Sequence, residues 1–272
     1  MSPRRCHLFA VALTLASGPA AAGFITFSAS GVDAAAITPT VNAFRAAVGA
    51  PNNANTPGPL FSGRREINWD GGGAATTSSP TPFNGFQNIR GASFTTPGTG
   101  FLQAPPGGLD TFFGRVDGLY DTIFEPFSQQ RVFTPVGSTI TDATFFIPGS
   151  GGTAPATVSA FGVIFSDVDS INVTSLQLFD EDGDSLGTFF APGIGGSQTF
   201  SFLGLQGDAG ERVARARITS GNVALNGTST GNDQVVMDDF IFAEPRRIPE
   251  PATVLLMTVA IAGLLLTRKN KA

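Results

Sequence analysis

Asp167 and Asp169 stand two positions apart, so on an extended segment both carboxylates point to one side. Asp238 and Asp239 follow near the end of the body and are adjacent, so only one of them can join the first pair unless a bulge intervenes. If the strands carrying the two sets pair, Asp167, Asp169 and Asp239 make an all-oxygen set suited to a structural calcium ion. The plainer reading is that Asp167 and Asp169 are turn formers, and that Asp238 or Asp239 pairs with an arginine such as Arg215. The run Asp180-Glu181-Asp182-Gly183-Asp184 also invites calcium. An EF-hand loop needs Gly at its sixth place and a bidentate acid at its twelfth, and counting from Asp180 those places hold Ser185 and Ala191. It reads instead as an acidic hairpin turn.

Saccharide recognition commonly uses an exposed Trp or Tyr face, and the chain has one of each, Trp69 and Tyr120. Trp69 lies between Asn68 and Asp70, which could hydrogen-bond a hydroxylated ligand. Both rings have an equally simple role as core or loop anchors. Two carboxylates suffice for glycoside hydrolysis. None of Glu66, Glu125, Glu181, Glu211 or Glu244 sits in a recognisable catalytic motif, so the expectation is that the chain is not an enzyme. The only cysteine and the only histidine are Cys6 and His7. A body without them has no disulfide, no thiol nucleophile, no Ser-His-Asp triad and no His-ligated metal.

The elements that must position these residues read as β. With 34 Gly, 19 Pro and 25 Phe, and charged residues at only 14%, the 272-residue chain suggests short strands joined by tight turns. From Ala156 onward the strand signals are regular: 159–166, 174–180, 186–191, 198–203, 212–219 and 235–242. The second and third of these form a hairpin through 181–184. In 212–219, Ala214, Ala216 and Ile218 share one face, and Val213, Arg215 and Arg217 the other. The stretch 23–155 reads as loop-rich, with strands at 24–28, 66–69 and 141–147 and a short helix at 40–48. The expected fold is all-β, sandwich-like or jelly-roll-like, over 23–243, with 244–248 as a linker. The chain carries 21 acidic and 16 basic residues, and five of the basic ones sit at its ends. The acidic body repels phosphate backbones, which argues against nucleic-acid partners.

The two ends carry the clearest signals. Arg4 and Arg5 precede an apolar stretch from Leu8 to Ala16, and small residues at Ala20 and Ala22 suit signal peptidase cutting before Gly23. At the other end Pro249-Glu250-Pro251 precedes an uncharged run, Ala252 to Thr267, and then Arg268-Lys269-Asn270-Lys271. Sixteen residues as a helix span about 24 Å, short of a hydrocarbon core of about 30 Å, and snorkelling by Arg268 and Lys269 makes up part of the difference. This order resembles the PEP-CTERM sorting signal of Gram-negative bacteria. The resemblance implies secretion through the translocon, signal peptidase processing and transient anchoring by the C-terminal helix. It further implies recognition near Pro249 to Pro251 by an exosortase-type enzyme, and delivery to the envelope surface or extracellular matrix.

Within the body, Phe-Gly-Val-Ile-Phe-Ser-Asp-Val-Asp (161–169), Gly-Glu-Arg-Val-Ala-Arg-Ala-Arg-Ile-Thr-Ser-Gly (210–221) and Val-Met-Asp-Asp-Phe-Ile-Phe (236–242) resemble a recurrent ectodomain of secreted bacterial proteins. Gly-Arg-Arg-Glu-Ile-Asn-Trp-Asp-Gly (63–71) looks like part of the same module. That resemblance implies one β-rich unit and no particular chemistry. The expected role is structural or adhesive, without cofactor. The alternatives are a carbohydrate-binding module for exopolysaccharide, with calcium as an optional structural ion, and a carboxylate-based glycoside hydrolase.

Overall fold

A computed structural model describes residues 23–226 and 233–248. The signal segment with Ala20 and Ala22, and the sorting segment with Pro249, Glu250, Pro251, Arg268 and Lys269, lie outside the described residues. Among the described residues no helix is long and apolar enough to cross a membrane.

The elements run β1 (Phe24–Gly31), α1 (Ala34–Val48), β2 (Arg64–Ile67), β3 (Thr77–Pro80), β4 (Ala92–Thr95), β5 (Gly100–Ala104), α2 (Pro106–Phe113), α3 (Leu119–Ile123), β6 (Val132–Val136) and β7 (Ile140–Phe146). They continue with β8 (Pro155–Thr157), β9 (Ala160–Ser166), β10 (Ser175–Phe179), β11 (Ser185–Phe190), β12 (Phe200–Gly207), β13 (Arg215–Thr219), β14 (Val236–Ala243) and β15 (Arg246–Arg247). Two antiparallel sheets result. One has the order β1-β12-β9-β14-β6-β5-β3, with β2 also on β14; the other is β11-β10-β13-β7-β8-β15, with β4 also on β7. The chain is mostly β, as its composition implies.

One apolar core joins the sheets, with Phe161, Phe165, Phe202 and Phe240 from the first and Ala143, Leu178 and Ile218 from the second. Within β13 the expected alternation holds, with Ala216 and Ile218 buried and Arg215 and Arg217 facing outward to share Asp142 of β7, but it breaks just before the strand, where Val213, expected on the Arg face, is fully buried. The hairpin β10–β11 also pairs as its sequence indicates.

Strands β9 and β14 are buried at every position, because the first sheet is covered on its other face as well. Helix α1 supplies that cover. Asp33 caps it by accepting from the Ala36 amide at 2.9 Å, and Ile37, Val41 and Phe44 form its buried stripe. Phe44 lies on Gly162 and Gly204, which are cross-strand partners. A Cβ at either would come within 2.9 Å of its ring, so two adjacent glycines flatten the sheet for the helix. A smaller cluster beneath α2 and α3, including Leu109, Tyr120 and Phe124, covers the far side of β5, β6 and the start of β14.

Residues 23–155, expected to be the loop-rich part of the body, contribute strands to both sheets and the three helices found among the described residues. The segment 244–248, expected as a linker, is held to the body. Glu244 is buried against Arg65, with Nε–Oε2 and Nη2–Oε1 contacts of 2.8 Å each, and Arg246–Arg247 extends the second sheet beside β8. A buried carboxylate needs such a partner, and that need ties the end of the body down.

Candidate ligand-binding pocket

β14 is where the chemistry gathers. Its pairing with β9 slips between Met237 and Phe240, a bulge that falls on Asp238 and Asp239. A regular strand would send these neighbours to opposite faces. At the bulge both reach one hydroxyl: Ser128 Oγ lies 2.7 Å from Asp239 Oδ1 and 3.2 Å from Asp238 Oδ1. Asp238 also accepts from the backbone N–H groups of Phe127 and Ser128. Asp70, just beyond β2, joins the cluster, accepting from the Arg131 amide at 2.9 Å and lying 3.3 Å from Ser128 Oγ. Burial first, and the Asp239 charge second, hold Asp238 well above the ordinary carboxylate range. Burial also raises Asp239, against the opposing pull of Ser128 and Arg45.

Helix α1 and strand β2 meet this cluster from the other side. Arg45 Nη2 reaches Glu66 Oε2 at 2.8 Å and Asp239 Oδ2 at 3.2 Å. The two bonds share one nitrogen, so their oxygens are separated by at most 2.8 plus 3.2 Å, about 6.0 Å. Arg64 holds the other Glu66 oxygen at 2.6 Å. Above this network opens a cavity of about 310 Å³, lined by Arg45, Glu66, Ser128 and Asp239 together with Asn52, Asn68 and Arg90. Every lining side chain is polar. A cavity of this size lies at the lower end of the roughly 300–1,000 Å³ typical of ligand pockets.

Arg90 differs from the rest of the lining. Among the described residues its side chain makes no ion pair and no hydrogen bond, and its Nε is buried without a partner. Burial and the nearby Arg65 hold its guanidinium below the usual arginine range, against a smaller pull from Glu66.

The residues singled out by sequence are placed differently. Trp69 is fully buried, stacked on Phe133 at 3.7 Å between centroids, with Nε1 donating to the Asp238 carbonyl at 2.9 Å. It braces the bulge from within the core and offers no face to a ligand. Tyr120 is fully buried too, stacked on Phe124, with its hydroxyl donating to the Asn226 carbonyl at 2.6 Å. The anticipated set Asp167, Asp169 and Asp239 does not assemble. Strands β9 and β14 do pair, but Asp239 turns to Arg45 and Ser128, and Asp233 comes to Asp167 and Asp169 instead. Asp233 accepts from the amides of Asp169 and Ser170, both at 3.1 Å. Asp167 keeps one buried oxygen, Oδ1, without a partner, and burial followed by the charges of Asp169 and Asp233 pushes it up to about 7. Among the described residues no three acidic, histidine or cysteine side chains are arranged to hold a metal ion. Asp180 accepts from the amides of Asp182 and Asp184, which is the acidic turn its sequence suggests.

Glu66, Asn68 and Asp239 lie within segments the sequence brought forward. Arg45, Arg90 and Ser128 carried no signal, because isolated polar residues in a helix or loop announce nothing until the fold brings them together. Compared with protein-family models, with curated proteins and with solved structures, the chain matches none.

Proposed function

We propose that this chain is an exported component of the cell surface or extracellular matrix, sorted by its C-terminal segment, whose sandwich-like body binds a polyhydroxylated ligand in the polar pocket. The observation that carries the binding role is the pocket lining itself. Two amides, a hydroxyl, two carboxylates and two guanidiniums converge on one cavity anchored to buried strands. Such a set suits hydroxyl groups presented in several directions, as saccharides present them, better than an apolar ligand. A matrix polysaccharide is the partner that both the sorting signal and the pocket favour.

The start of the body supports the export reading. Strand β1 begins at Phe24, and the Gly23 amide donates to Glu211 Oε1 at 2.8 Å. Cleavage before Gly23 would leave a complete first strand and place the new ammonium on a carboxylate.

The test is to fractionate cells producing the chain with and without residues 249–272, then to assay the released body on the producing cell's own polysaccharide. Surface delivery that depends on the tail, with retention on the polysaccharide, is the expected result. Cytoplasmic retention of both forms sinks the export reading, and absence of retention sinks the pocket's role.

A second reading, glycoside hydrolysis, draws on Glu66 and Asp239 sharing Arg45 Nη2, which bounds their nearest oxygens to within about 6.0 Å and so admits the ~5–5.5 Å of retaining enzymes. Against it, each carboxylate oxygen of the pair is already bonded to Arg45, Arg64 or Ser128. Release of reducing ends by the wild-type chain, abolished in Glu66→Gln, would favour hydrolysis over binding.

A further inference from the structure

We infer that the pocket selects an anionic saccharide, one carrying a carboxylate such as a uronic acid residue, and that Arg90 is the group that selects it; this rests on the saccharide-binding reading of the same pocket. The other charges of the lining are matched. Glu66 is shared by Arg45 and Arg64, and Asp239 is held by Arg45 and Ser128. Each oxygen of the two lining carboxylates is thus taken, and none of them reaches Arg90; Asp70 and Asp238, which meet Ser128 without lining the cavity, are held by backbone N–H groups of Phe127, Ser128 and Arg131.

A guanidinium has five N–H donors and no other protonation state to retreat to. Withdrawing one from water without giving it an acceptor is costly, so a native chain rarely leaves such a group unmatched. Arg65, its neighbour, shows what full satisfaction looks like here. Its donors go to both Glu244 oxygens and to the carbonyls of Ala54, Thr56 and Ile89. Arg90 has the same chemistry, but its Nε is buried without an acceptor and the rest of its fork opens on the cavity.

A carboxylate is the acceptor whose two oxygens match the guanidinium fork. Asn52, Asn68 and Ser128 on the same wall supply neutral donors and acceptors for ring hydroxyls. A bare inorganic anion would use Arg90 and leave these idle. The chain as a whole is acidic, at −5, so its general field does not draw anions, and selection must come from the local fork.

The test is calorimetric titration of the full chain, in detergent, with three probes: a glucuronate-terminated oligosaccharide, its glucose-terminated counterpart and inorganic sulfate. Wild type is compared with Arg90→Gln and Arg90→Lys. The expected result is that the uronate probe binds at least tenfold tighter than the neutral one. Arg90→Gln should erase that preference and Arg90→Lys should retain part of it, with melting temperature unchanged or raised in both. Equal affinity for the two sugars in wild type, or a preference that survives Arg90→Gln, overturns the role of Arg90 while leaving saccharide binding intact. Sulfate binding as tight as the uronate overturns the sugar assignment. No binding of either sugar overturns the pocket reading itself.

Discussion

Arg65 lies close enough to Arg90 to help lower its guanidinium below the usual arginine range, yet the chain treats the two in opposite ways. Arg65 is entirely buried and meets Glu244 through two 2.8 Å contacts, with three backbone carbonyls taking its remaining donors. Arg90 is half-buried and has no partner among the described residues. The first is a clamp that joins the loop after α1 to the end of β14. The second carries a charge the fold has left for something else. The two arginines thus contrast a charge matched within the fold with one that is not.

Breaking the matched pair should have the largest effect. Glu244→Ala leaves Arg65 buried without its counter-ion, and we expect a loss of about 3–5 kcal/mol in denaturant unfolding. A loss below about 1 kcal/mol would show that water replaces the carboxylate and that the clamp contributes little.

Asp167 extends the comparison to an unmatched acid. Its folded pKa, pushed up to about 7, lies above its unfolded value near 3.8. Between those values the folded state binds the extra proton, so stability falls as pH rises from about 4 to 7 and then levels off. Asp167→Asn should remove that slope and raise stability at pH 8 by on the order of 2 kcal/mol, with little change at pH 4. Parallel pH profiles for variant and wild type would contradict this.

Arg90→Gln removes an unmatched charge and should change stability by less than about 1 kcal/mol, toward greater stability. A large destabilisation would mean that Arg90 is structural after all, and the contrast with Arg65 would collapse. The smallest effect is expected at Asp142, whose partners Arg215 and Arg217 sit on the wet face of β13. Asp142→Asn should cost no more than about 1 kcal/mol, and less at high salt.

The legibility of these features from sequence follows the same physics. β13 could be read because one of its faces is wet, so apolar and charged residues alternate. The turn 181–184 could be read because Asp and Gly report backbone geometry directly. In the first half, β1 and part of β2 could be read at 24–28 and 66–69, while β3 and β4 could not: they have four residues each, and their partners β5 and β7 lie well along the chain, so neither length nor a tight hairpin marked them. The pocket was half legible. Asn68, Asp70, Asp238 and Asp239 stood out, but the bulge that turns Asp238 and Asp239 to one hydroxyl has no signature in residue type. Trp69 drew notice for the wrong role: its polar edge serves the Asp238 carbonyl inside the core and not a ligand outside it.

Hydrogen–deuterium exchange of the full chain, with and without the producing cell's own polysaccharide, tests the proposed saccharide binding at the pocket most directly. Added protection is expected in the segments that carry Arg45, Glu66 to Asn68, Arg90 and Ser128. Protection confined to other surfaces, or none at saturating polysaccharide, would contradict the assignment.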